Sequence, residues 1–136
     1  WVVGGLDSHD AQARRLTNLS GCTLISVDYR LAPEHPFPAA YEDAMAVARW
    51  ISRSAAHIGV TPGPFGLVGD SSGGNLAAAV ALTARDEGLP AGVQVLIYPV
   101  LDNRPDLYRS YRQYADGYFL TRKAMQWYLD QSPKKG

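Results

Sequence analysis

Residues 65–75 read FGLVGDSSGGN, and no other stretch constrains the fold as much. A short apolar run over residues 65–69 leads in and predicts a strand. A helical pattern leads out over residues 72–87, with Leu76, Ala77, Val80, Ala81 and Ala84 on one face and Gly88, Leu89 and Pro90 as its stop. A strand that turns at once into a helix needs small residues where the backbone folds back on itself, and Gly69, Gly73 and Gly74 supply them.

The same alternation runs through the rest of the chain. Residues 8–20 predict a helix with Ala13, Leu16 and Leu19 on one side, capped by Asp7 or Ser8 and stopped by Gly21. Residues 22–28, CTLISVD, are β-branched and apolar and predict a buried strand, with Cys22 as a small core residue. Residues 29–38 hold three prolines and predict a loop. Tyr41, Ala44, Met45, Ala48 and Ile51 predict a helix over residues 39–53, with Glu42 and Asp43 early in it. TPGP at residues 61–64 is a turn, and residues 93–98 are a further apolar strand. Residues 103–117 are polar and tyrosine-rich without a period. Thr121 predicts the cap of a last helix carrying Met125, Tyr128 and Leu129, stopped at residues 132–133. Helix and strand in alternation, with continuous apolar strands, predict an α/β fold: a mostly parallel sheet covered on both faces.

Composition excludes several classes. Thirteen basic and thirteen acidic residues balance to zero net charge, with no basic stripe for nucleic acid. No run approaches the roughly 18 apolar residues of a membrane span. The one cysteine rules out an intrachain disulfide and makes a reducing, cytoplasmic setting the expectation. No cofactor or metal motif is present: a dinucleotide site needs G-x-G-x-x-G, and a Walker loop needs a lysine. The chain begins at Trp1 and enters apolar VV at once, so a central piece of a longer protein is expected.

Chemistry concentrates at Ser71. Gly69, Asp70, Ser71, Ser72 and Gly73 form a G-x-S-x-G pattern, which chance alone would give a chain of this length about one time in twenty. Its place between strand and helix is what a nucleophile elbow requires. There the serine oxygen projects above the sheet edge. The Ser72 N–H at the helix start points toward a developing oxyanion.

GDSSGGN resembles the elbow of the hormone-sensitive lipase group of α/β-hydrolases, usually GDSAGGN. DYRLAPEHPFPA over residues 28–39 resembles that family's loop after its fourth strand. WVVGGLDSHD over residues 1–10 resembles the segment following its HGGG oxyanion loop. Tyr98 with Pro99 is similar to the end of its sixth strand, and YFLT over residues 118–121 with Met125, Trp127 and Tyr128 is similar to its cap-linked region. The resemblance implies a partial α/β-hydrolase domain over residues 1–136, with about residues 103–136 leading into the cap-associated region. It implies attack by Ser71 on a small-molecule ester of short to medium chain, an acyl-enzyme, and no cofactor.

The resemblance also assigns supporting roles and leaves gaps. It makes the Ser72 N–H one oxyanion donor, Gly69, Asp70, Gly73 and Gly74 the elbow's support, and Met125, Trp127 and Tyr128 a candidate acyl pocket. Asp70 would brace the turn by hydrogen bonds. Gly4 and Gly5 match loop positions, not oxyanion donors. In this fold acid and histidine follow the serine, whereas His9, His35 and His57 all precede Ser71. Asp102 follows the last strand, either as an acid or as a turn cap. Two other readings stay open. One is an inactive ligand-binding protein on the same scaffold, as in the plant gibberellin receptors. The other is a peptidase or amidase of the same fold.

Overall fold

The core forms where two amphipathic helices lie over a pair of parallel strands. The computed structural model describes residues 1–131. In chain order the elements are α1 (Leu6–Ser20), α2 (Ala39–Ser54), β1 (Phe65–Asp70), α3 (Ser71–Asp86), β2 (Ala91–Ile97), α4 (Arg109–Gln113) and α5 (Arg122–Asp130). Single 3-10 turns lie at Ala55–Ile58 and Pro105–Leu107.

β1 and β2 pair in parallel, with Val68 opposite Val95 and Asp70 opposite Ile97. A crossover is needed to bring parallel strands side by side, and α3 supplies it while packing on both. Met45, Ala48 and Val80 are the buried centre, with Tyr41, Ala44, Phe65, Leu67 and Leu89 packed around them. α2 is joined to α3 by more than apolar contact. The Tyr41 and Thr83 hydroxyls lie 2.6 Å apart, and Arg49 donates to both carboxylate oxygens of Glu87 at 2.5 and 2.9 Å.

The loop before α2 is pinned by Arg30. Its backbone N–H donates to Asp43 Oδ2 at 2.9 Å, and its guanidinium donates to both carboxylate oxygens of Asp43 at 2.8–3.1 Å. These side-chain hydrogen bonds, more than the charge itself, hold the Asp43 carboxyl below the usual carboxylate range.

Several expectations need correction. Residues 22–28 carry no strand, because a strand exists only through pairing and the described sheet has two members, β1 and β2. Cys22 is exposed rather than buried. It follows directly on the Gly21 turn, with its N–H turned to Ser20 Oγ at 3.2 Å. The sheet is covered on one face among the described residues. On the other, Val93 and Val95 are 60% and 49% exposed. α1 starts earlier than Ser8 because Gly5 is its N-cap. Ser8 works from inside the first turn, accepting from the Gly5 N–H at 2.9 Å.

Other boundaries lie where the pattern puts them. Gly21 ends α1 at φ 69, with its N–H donating to Thr17. Thr121 caps α5, its hydroxyl accepting from the Ala124 N–H at 3.1 Å. The stop expected at residues 132–133 lies outside the described residues. No described helix is long and apolar enough to cross a membrane.

Candidate active site

β1 ends at Asp70 and α3 begins at Ser71, so no residue separates strand from helix. Asp70 is still extended, at φ -109 and ψ 148. Ser71 takes φ 51, in the left-handed region that L-residues avoid. Such a conformation costs about 1–3 kcal/mol and persists only where the surroundings enforce it.

The enforcement is visible in the glycines. A Cβ on Gly69 would lie 2.2 Å from the Gly73 carbonyl oxygen and 2.8 Å from the Gly74 nitrogen, so the strand end and the first helical turn are in backbone contact. A Cβ on Gly74 would lie 2.9 Å from Pro99 Cβ and 3.0 Å from the Gly69 carbonyl oxygen. Gly73 is different: a Cβ there would meet nothing within 4 Å. The close approach therefore falls on Gly69 and Gly74.

Ser71 is half-buried, and no described residue hydrogen-bonds its hydroxyl. Its carbonyl accepts from the Val100 N–H at 3.3 Å. The Ser72 N–H belongs to the first turn of α3, where helix geometry leaves donors unpaired and the macrodipole is positive. A serine hydroxyl beside N–H donors at a helix start is an arrangement suited to acyl transfer.

Residues 1–135 match the family described by the alpha/beta hydrolase fold. The chain belongs to this α/β-hydrolase family. It is 43% identical over 130 residues to a carboxylesterase of Mycobacterium tuberculosis, a match covering 95% of this chain and 40% of the relative. It is 40% identical over 136 residues to an ethyl acetate hydrolase of Pseudomonas putida, covering 96% and 42% respectively. Its structure resembles a hyperthermophilic esterase from Pyrobaculum calidifontis at TM-score 0.92 and 44% identity, over 98% of this chain and 44% of that one. The chain thus spans 40–42% of the length of these curated relatives. Family and fold agree with what GDSSGGN implied.

In this chain the remaining candidate residues divide between the elbow and elsewhere. The Asp70 side chain makes no hydrogen bond among the described residues. It faces His9, whose Nε2 lies 3.7 Å from Oδ2. His35 and His57 are exposed. Asp102 accepts from the Arg104 N–H at 2.9 Å, from its guanidinium at 2.8 and 3.0 Å, and from the Tyr108 hydroxyl at 2.7 Å. These donors, Arg104 first, hold its carboxyl far below the usual range. That is a turn cap with its acceptors occupied.

Met125 is buried under α5, Tyr128 is half-buried, and Trp127 is half-exposed, stacked edge-on to Tyr128 at 5.1 Å between ring centroids. Trp127 lines an open groove with Ala115, Arg122, Lys123 and Gln126, and Ser71 is not on its wall. Among the described residues, no cluster of His, Cys, Asp and Glu is arranged to hold a metal.

Three supporting contacts were not read from the sequence. Pro99 walls Gly74, Val100 holds the Ser71 carbonyl, and the backbone nitrogen of Trp1 donates to Ser72 Oγ at 2.8 Å. Tyr98, at φ 36, turns the chain between β2 and Pro99. Only Pro99 carried a signal, since a proline just past an apolar strand marks a forced turn.

Proposed function

We propose that the protein is a carboxylic ester hydrolase that uses Ser71 as its nucleophile. The reading is carried by one observation: a serine at φ 51 on a turn with no residue between strand and helix. A backbone this strained on a non-glycine residue is what an exposed nucleophile requires and what a mere helix cap does not. The names of the relatives, carboxylesterase and ethyl acetate hydrolase, support the ester class.

In this reading Ser71 Oγ attacks the ester carbonyl carbon, its proton passing to a general base. The carbonyl oxygen becomes an oxyanion held by the Ser72 N–H. Collapse expels the alcohol, which takes the proton, and leaves an acyl group on Ser71. Water then gives a proton to the base and attacks the acyl carbon; the bond to Ser71 Oγ breaks, the carboxylic acid leaves and Oγ takes the proton back. His9 does not serve as the base, because its ring nitrogens face Ser8 and Asp70. Short to medium acyl chains and a cytoplasmic setting complete the proposal, and no cofactor takes part.

The test is hydrolysis of a p-nitrophenyl ester series, acetate to laurate, by the full-length protein and its Ser71→Ala variant, with fluorophosphonate labelling of the serine. Loss of at least about a thousandfold in kcat/KM with loss of label is expected. Hydrolysis surviving Ser71→Ala would refute the assignment. Binding of an ester without turnover would favour the receptor-like reading, and faster cleavage of the matching anilides would favour an amidase.

A further inference from the structure

The residues on both sides of Ser71 are held by the first nine residues of the chain. The Trp1 backbone nitrogen lies 2.8 Å from Ser72 Oγ, and the Asp70 carboxylate faces His9 Nε2 at 3.7 Å. The proposed acyl transfer uses neither side chain, yet both flank Ser71, whose backbone lies in the left-handed region.

His9 is itself fixed. Ser8 Oγ accepts from the Gly5 N–H at 2.9 Å and donates its single proton to the Gly5 carbonyl at 2.9 Å. The same hydroxyl lies 2.9 Å from His9 Nδ1, so a serine held by the Gly5 backbone sets the orientation of the ring. With Nδ1 on Ser8, the ring turns Nε2 toward the Asp70 carboxylate, 3.7 Å away. Gly4, at φ 98, leaves room for the ring: a Cβ there would stand 3.3 Å from His9 Cε1. The sequence GGLDSHD thus builds a mount for an imidazole aimed at the residue before the nucleophile.

We propose that His9 is a positioning residue for Ser71: by holding Asp70 it keeps the elbow in the conformation that presents the nucleophile. This rests on Ser71 being the nucleophile. The side chains of His9 and Asp70 are 43% and 30% exposed, so solvent screening limits the effect to about fivefold in kcat.

The experiment uses the full-length protein, with p-nitrophenyl acetate kinetics, fluorophosphonate labelling rates and thermal melts. His9→Ala should lower kcat about fivefold and slow labelling equally, with KM within about twofold and the melting midpoint unchanged. His9→Gln, which keeps an N–H near the Nε2 position, should recover most of the loss. In an Asp70→Asn background His9→Ala should have no further effect. A wild-type rate in His9→Ala, no recovery in His9→Gln, or an undiminished loss in the Asp70→Asn background overturns the proposal. A wild-type protein that takes no label at Ser71 overturns the nucleophile assignment instead, and this proposal with it.

Discussion

Replacing Gly69 by alanine should damage the elbow far more than the same change at Gly73. The added Cβ at position 69 would stand 2.2 Å from the Gly73 carbonyl oxygen and 2.3 Å from its carbon. Real Cβ contacts essentially never fall under 3.0 Å, so the strand end and helix start must part by about 0.8 Å. Both obstructing atoms are backbone, so no rotamer change relieves them. Overpacking of this kind costs about 1–3 kcal/mol, a large share of a domain stability of roughly 5–15 kcal/mol. The same displacement moves Ser71 Oγ, and misplacing a reacting group by about 1 Å costs on the order of a hundredfold in rate. At Gly73 a Cβ meets nothing within 4 Å, and the site is helical, where alanine is favoured over glycine by about 0.5–1 kcal/mol. Stability should therefore fall in Gly69→Ala and hold or rise in Gly73→Ala. Urea unfolding of the full-length protein with each change, with the fluorophosphonate labelling rate for Gly69→Ala, is the measurement. A Gly69→Ala protein that melts and labels like wild type would refute the close-approach argument. So would a Gly73→Ala protein that is equally destabilised.

Two further predictions concern the scaffold that carries the elbow. Met45 is 1% exposed at the centre of the packing between α2 and α3, so Met45→Ala should cost about 2–5 kcal/mol in urea unfolding. The Asp43 carboxyl titrates below its ordinary value in the folded protein because Arg30 hydrogen-bonds it, so its contribution is present in full above the ordinary aspartate range and is lost as pH falls through the lowered value. Asp43→Asn should lower the melting midpoint at neutral pH, and the wild-type and variant curves should converge under acid. Curves that stay parallel down to about pH 2 would show that the Arg30 contact adds nothing through ionisation.

What the sequence made legible follows from which interactions are local. The turn at Ser71, the helix over Met45 and Ala48, the Gly21 stop and the Thr121 cap depend on neighbours a few residues away, and each lies at or within two residues of where its pattern puts it. Residues 22–28 read as a strand because β-branched, apolar composition is also local, but pairing is not. The same holds at the site. Spacing alone marks Gly69, Gly73 and Gly74 as small for a reason, but only the fold shows that the backbone approach falls on Gly69 and Gly74 and leaves Gly73 open. His9 and Asp70 are 61 positions apart by their numbers, so nothing in a local pattern could have joined them. A histidine beside a capping serine reads as a surface residue until β1 delivers a carboxylate to it. The elbow is therefore encoded twice. Its shape is written locally in glycines, and its hold on Ser71 is written at a distance, through Trp1, His9, Pro99 and Val100. Strain at Ser71 requires this second layer. A turn that glycines merely permit would relax, whereas one gripped on both flanks stays strained.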